Sequence, residues 1–193
     1  MPQRTQRTFA ERFLSLGIAK VILVVNRLDS YMPALENFSE KWCHPDYRPD
    51  KVAEEELAAV EAQFSIRFPK DYREQIIAVG APSPTLALLS AIDDLGMDIH
   101  DLSSLCIPSG ITDETEAWRE IGMPLDLVVI GNDCMGNKFC FKKSEIDGEA
   151  SAEAPIYFWD HEFNETECVA RSFSAWVNLY LGQWSHGLSH SDF

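Results

Sequence analysis

A chain of 193 residues, 46% hydrophobic and 11% aromatic, has enough apolar material to bury a core of its own, and a 24% share of charged residues is ordinary for a globular domain. Sixteen Lys and Arg against 31 Asp and Glu leave a formal charge of −15, which argues against a nucleic-acid-binding surface, because tracking phosphates needs clustered cations. Between Asp93 and Glu167 eighteen acids face four bases, so this stretch holds fourteen of the fifteen net negative charges and reads either as a solubilising surface or as a field that attracts a cationic partner.

Residues 1–8 are polar and basic and read as a loose tail, while Phe9 to Leu28 reads as a helix or as a helix followed by a short strand. The run GIAKVILVV follows Arg4, Arg7 and Arg12 but is far shorter than the ~20 apolar residues of a membrane span, and no small-residue cleavage site follows it. The expectation is a soluble, unexported protein. Five cysteines, an odd number with no CxxC pair, fit reduced thiols and a cytoplasmic location.

Ser30 is placed to cap a helix whose stripe Tyr31, Leu35, Phe38 and Trp42 recurs at helical spacing. After the turn-like CHPDYRPD, Asp50 offers an N-cap to KVAEEELAAVEAQF, with Leu57, Val60 and Phe64 on one face and Glu54, Glu55 and Glu56 near the positive end of the helix dipole. Pro69 opens KDYREQIIAV, which is expected to bury Tyr72, Ile76 and Ile77 and to close at Gly80. TLALLSAIDD and ETEAWREIG read as two further helices, the second stopped by Gly122 and Pro124.

Beyond Pro124 the period changes to two. LDLVVI, KFCFKK and APIYFW read as three strands, and SFSAWVNLYL as a closing helix capped by Ser172 with Phe173, Trp176, Val177 and Tyr180 inward. Helices, then a meander of strands, then a helix predict an α+β domain with an antiparallel sheet and the carboxy-terminal helix packed on it. Residues 1–50 read as an amino-terminal helical extension, 51–182 as the domain and 183–193 as a polar tail.

LVVIGNDCMGNKFCF carries two glycines, but a nucleotide-binding loop needs a helix after the second one, and here a strand pattern follows. It reads as a hairpin in which Gly131, Asn132, Asp133 and Gly136 supply the turn, with Phe139 and Phe141 on one face and Lys138, Cys140 and Lys142 on the other. In YFWDHEFNETE, Asp160, His161 and Glu162 are metal-ligand types, yet adjacent strand residues point to alternate faces and no second histidine stands at position 165. The reading is a strand end with solvated carboxylates. Neither a cofactor nor a resident metal is called for, and no nucleophile elbow accompanies the scattered histidines.

EEELAAVEAQFSIRFPKDYREQIIAVG, WREIGMP, the hairpin, IYFWDHE and SFSAWVNLYL, in that order, resemble the SUKH superfamily, the Smi/Knr-type domain of a cell-wall-assembly regulator and of many bacterial immunity proteins. The resemblance spans roughly residues 52 to 181 and is carried most specifically by Phe68-Pro69 with Tyr72, the Gly131-Asn132-Asp133 turn with Gly136, the Trp159-to-Glu162 strand end, and Ser172-Phe173 with Trp176. Val79-Gly80-Ala81-Pro82 departs from the family's Asn-Gly-Gly-like turn. The resemblance implies a non-catalytic binding domain that neutralises a cognate toxin, with an acidic surface suited to a basic toxin domain.

The expected partner surface uses Asn132, Asp133, Trp159, Asp160 and Glu162, since aromatic anchors with charged rims dominate such interfaces. An intracellular regulatory scaffold is the first alternative. A metal-dependent hydrolase using Asp133, Asp160, His161 and Glu162 is the second.

Overall fold

The computed structural model describes residues 33–192, so the expectations for residues 1–8, Phe9–Leu28, Ser30 and Tyr31 lie outside the described residues. The first described helix, α1 (Ala34–Trp42), starts after Pro33 and buries Leu35, Phe38 and Trp42, the expected stripe. Helix α2 (Glu54–Phe64) buries Leu57, Val60 and Phe64. Its N-cap is Ala53 rather than Asp50: the Ala53 N–H donates to Glu56 Oε2 at 2.9 Å, while the Asp50 carbonyl is taken by the Ala81 N–H, also at 2.9 Å. Helix α3 (Lys70–Val79) buries Tyr72, Gln75 and Ile76, but Ile77 is 37% exposed, because the helix turns only one side to the core. At its end Gly80 has φ +99°, and a Cβ there would run into the Asp50 carbonyl oxygen, so the close approach of the two segments requires glycine.

Helix α4 (Leu86–Asp94) forms within the expected TLALLSAIDD, with Thr85 as its N-cap, the Thr85 side chain accepting from the Ala87 N–H. Helix α5 (Pro108–Glu120) begins several residues before the expected ETEAWREIG, because Pro108 at its first position is already preset for the helix. Five antiparallel strands, the first ahead of α5 in the chain and the rest after it, form one sheet in the order β1 (Ser104–Leu105), β2 (Leu127–Asn132), β3 (Lys138–Lys142), β4 (Ile156–Asp160) and β5 (Glu165–Ala170). Three were expected. The short β1 and the charged β5, previously a strand end and loop, complete the meander. A short helix α6 (Lys143–Ile146) follows β3, and α7 (Phe173–Leu179) closes the fold with Ser172 Oγ accepting from the Ala175 N–H.

The protein is α+β, with helices before the sheet and α7 packed on it. On one face Phe141 meets Tyr72 of α3 at 5.4 Å between ring centroids, and Phe139 meets Trp176 of α7 at 4.6 Å. On the other, α5 covers the hairpin: Trp118 packs edge-on to Trp159 at 5.6 Å, and the buried Thr115 hydroxyl accepts from the Val129 N–H at 3.0 Å. Strands β2 and β3 are therefore buried on both faces, the Lys138 and Cys140 face as well as the Phe139 and Phe141 face. Gly131 and Asn132 also belong to β2, with a register shift between Val129 and Gly131, and the turn proper is 133–137.

Residues 183–192, read as a polar tail, run back across α1. Trp184 stacks on Trp42 at 6.2 Å, the His190 N–H donates to the Lys41 carbonyl at 2.8 Å, and Ser185 is fully buried. All five cysteines are free thiols, with Cys43, Cys106 and Cys140 in the interior.

Candidate binding surface

The expected site residues come together at one end of the sheet, where Asn132 pairs with Lys138 and Lys138 with Trp159 across three strands. Most of them face inward. Asp133 is 7% exposed and organises the β2–β3 turn: its Oδ1 accepts from the Met135 and Asn137 N–H groups at 2.9 and 2.7 Å, and its Oδ2 from Asn137 Nδ2 at 2.7 Å. This is an aspartate satisfying a turn's orphan donors. Asp160 does the same for the β4–β5 turn, its Oδ1 accepting from the Glu162 and Phe163 N–H groups at 2.9 and 3.0 Å. Trp159 is 2% exposed, and its Nε1–H donates to Asn164 Oδ1 at 2.9 Å. It supports the surface from behind rather than projecting from it.

Asn132 belongs to a buried polar network. Its Oδ1 accepts from Lys138 Nζ at 2.7 Å, and the same ammonium, on a residue only 4% exposed, donates to Glu114 Oε2 at 2.8 Å and lies 4.5 Å from the Trp118 ring centroid. Such a cation is tolerable in the interior because it is paired and hydrogen-bonded. Burial alone would raise the Glu114 carboxyl, but the hydrogen bond and charge of Lys138, together with the Trp118 N–H, hold it below its ordinary value.

The two turns are joined. Asn137 Oδ1 accepts from the His161 N–H at 3.2 Å and lies 2.8 Å from His161 Nδ1, and the His161 ring packs on Trp118 at 5.2 Å. A third segment is tied in through Asp101, whose carboxylate accepts from the Cys134 N–H at 3.0 Å and from its thiol at 3.4 Å. Burial and the neighbouring Asp101 push that thiol up to about 11, so Cys134 stays protonated at neutral pH.

What this scaffold turns outward is Glu162 and two apolar side chains that sequence reading passed over, Met135 at 70% and Phe163 at 73% exposure. Their signal was present. An apolar residue at the tip of DCMGN or HEFNE has no face of a strand or helix on which to hide. Among the described residues no three His, Cys, Asp or Glu side chains are grouped to hold a metal ion, and the carboxylates of Asp133 and Asp160 are engaged in separate turns.

A cleft of about 350 Å³ opens on the opposite face of β4 and β5, between residues 97–100 and the end of α7. His100 lies flat on Phe158, with centroids 3.6 Å apart and planes within 5°, and its Nε2 is 2.6 Å from Glu167 Oε1. The buried Tyr180 hydroxyl donates to the His100 carbonyl at 3.0 Å and fixes that wall. No helix among the described residues is long and apolar enough to cross a membrane.

Residues 51–179, about two thirds of the chain, match the model of the SMI1 / KNR4 family (SUKH-1). The chain belongs to this family. No curated protein matches it. The SUKH-1 match runs from just before α2 to the last residue of α7, so it takes in both turns, the buried Lys138 network and the cleft apart from Tyr180, while α1 and residues 183–192 lie outside it.

Proposed function

We propose that this SUKH-1 chain is a non-catalytic protein-binding module of the immunity type, which works in the cytoplasm and neutralises a cationic toxin-like partner through the turn end of its sheet. The observation that carries this reading is the pair Met135 and Phe163, exposed on two turns that Asn137 and His161 hold together, with the acids Glu162 and Glu165 beside them. Methionine and aromatic anchors within a charged rim are the composition of a protein interface. The net charge of −15 supports a basic partner, because long-range attraction raises its association rate. Asn132, Asp133, Trp159 and Asp160 serve this surface as its frame and Glu162 as part of its rim. The free thiols agree with a reducing compartment.

The test is capture of a partner from the source cell at low and moderate salt by the unaltered protein and by a Met135→Ser/Phe163→Ser variant, followed by production of the captured protein with and without this chain. A basic protein that is held only by the unaltered form and arrests growth only when produced alone supports the reading. A partner that is harmless alone supports a regulatory scaffold instead. Equal capture by the variant moves the interface off the turns.

A further inference from the structure

The geometry points to a second recognition surface: the outer edge of β5 accepts an extended strand whose residues alternate between cationic and uncharged. Strand β5 pairs with β4 on one side only, and among the described residues no strand pairs with its other side. Glu165, Thr166, Glu167 and Cys168 are all exposed. Every second residue of such a strand points its N–H and C=O outward, a template for one more strand.

The side chains of β5 make the template selective. Phe158 pairs with Glu167 and Asp160 with Glu165, so these two glutamates share the cleft face of the sheet, whereas Thr166 and Cys168, opposite Trp159 and Tyr157, share the other. An added strand would find anions along one face and uncharged groups along the other. The cleft continues the anionic face. Exposed Asp98 and Glu167 stand at its mouth over Ile99, Val169 and Leu179, which suits a Lys or Arg whose alkyl stem lies on apolar surface while its charge meets a carboxylate. A second copy of the chain fits poorly, because edge-to-edge pairing would bring two such acidic strands together on molecules of charge −15 each.

This inference does not rest on the turn-end reading, and one experiment separates them. A fluorescently labelled short peptide of alternating Lys and Val is titrated against the full chain by anisotropy, beside its backbone N-methylated form and a Glu–Val peptide, with hydrogen exchange followed in parallel. Expected results are binding of the Lys–Val peptide, a loss of about tenfold or more on N-methylation, no binding of the Glu–Val peptide, and slower exchange within residues 165–170. Glu165→Lys/Glu167→Lys abolishes binding, while Met135→Ser/Phe163→Ser leaves it unchanged. Absence of Lys–Val binding, equal binding of the N-methylated peptide, protection confined to other segments, loss of binding in the turn variant, or a chain that sediments as an edge-paired dimer would each overturn it.

Discussion

Asn137 clamps His161 to the hairpin: one amide oxygen meets both the backbone N–H and the ring Nδ1 of His161, while the amide nitrogen of the same residue donates to Asp133. The two turns that carry Met135 and Phe163 are thus oriented by a single side chain. Asn137→Ala removes these bonds and is expected to cost about 1–3 kcal/mol, since it strands partly buried partners. Chemical denaturation gives the stability change, and partner affinity is expected to fall further than that of a surface substitution of equal cost.

Trp159 and Phe163 offer opposite outcomes four residues apart. Trp159→Ala empties the space between Trp118 and the sheet and is expected to destabilise by about 3–5 kcal/mol. Phe163→Ala is expected to change stability by less than about 0.5 kcal/mol and to weaken partner binding. Denaturant midpoints on both variants, with binding measured on the second, check this division between frame and contact.

Glu114 sets an acid limb on stability. Its folded carboxyl lies below the ordinary value of 4.5, so between the two values the unfolded chain binds protons more readily than the folded one. Its contribution is complete above about 4.5 and is lost as pH falls through the folded value. Glu114→Gln is expected to flatten the stability profile over that window and leave its slope at neutral pH unchanged, as urea midpoints measured across pH would show.

Gly80→Ala is expected to destabilise by about 1–3 kcal/mol, because φ +99° is strained for any side chain and the new Cβ meets the Asp50 carbonyl and Pro49. Gly148→Ala, with open space around its Cβ position and no left-handed φ, is the control and is expected to be neutral in a thermal melt.

Periodicity made much of this legible before any coordinates. The stripes of α1, α2 and α7 and the paired strands around Asp133 follow from local spacing, and the glycine and aspartate turn residues fix the hairpin. Strand β5 escaped because ETECVA is exposed on both faces for most of its length and so lacks the apolar-to-polar contrast by which strands are read. Trp159 is an expected interface residue because aromatic anchors with charged rims dominate protein interfaces. Trp118, from a distant helix, is what buries it, and no local window contains both. Glu61 was equally hidden: within a run of helix-favouring acids nothing marks it as the buried carboxylate that accepts the Phe68 N–H at 2.9 Å and pairs with Arg67 and Arg73.

The return of residues 183–192 across α1 bears on the order in which the domain folds. The Trp42 indole N–H is satisfied by the Tyr180 carbonyl, 138 positions along the chain, and its ring is covered by Trp184, so the first described helix needs this distant segment as well as α3, where Gln75 Oε1 accepts from the Leu35 N–H at 2.9 Å. Until residues 180–192 dock, Phe38 lacks the Tyr180 ring and Trp42 lacks the Trp184 ring that cover them in the folded domain. A contact of such long sequence separation is expected to form late in folding, and Trp184→Ser would leave an open aromatic surface for chaperones and proteases to find.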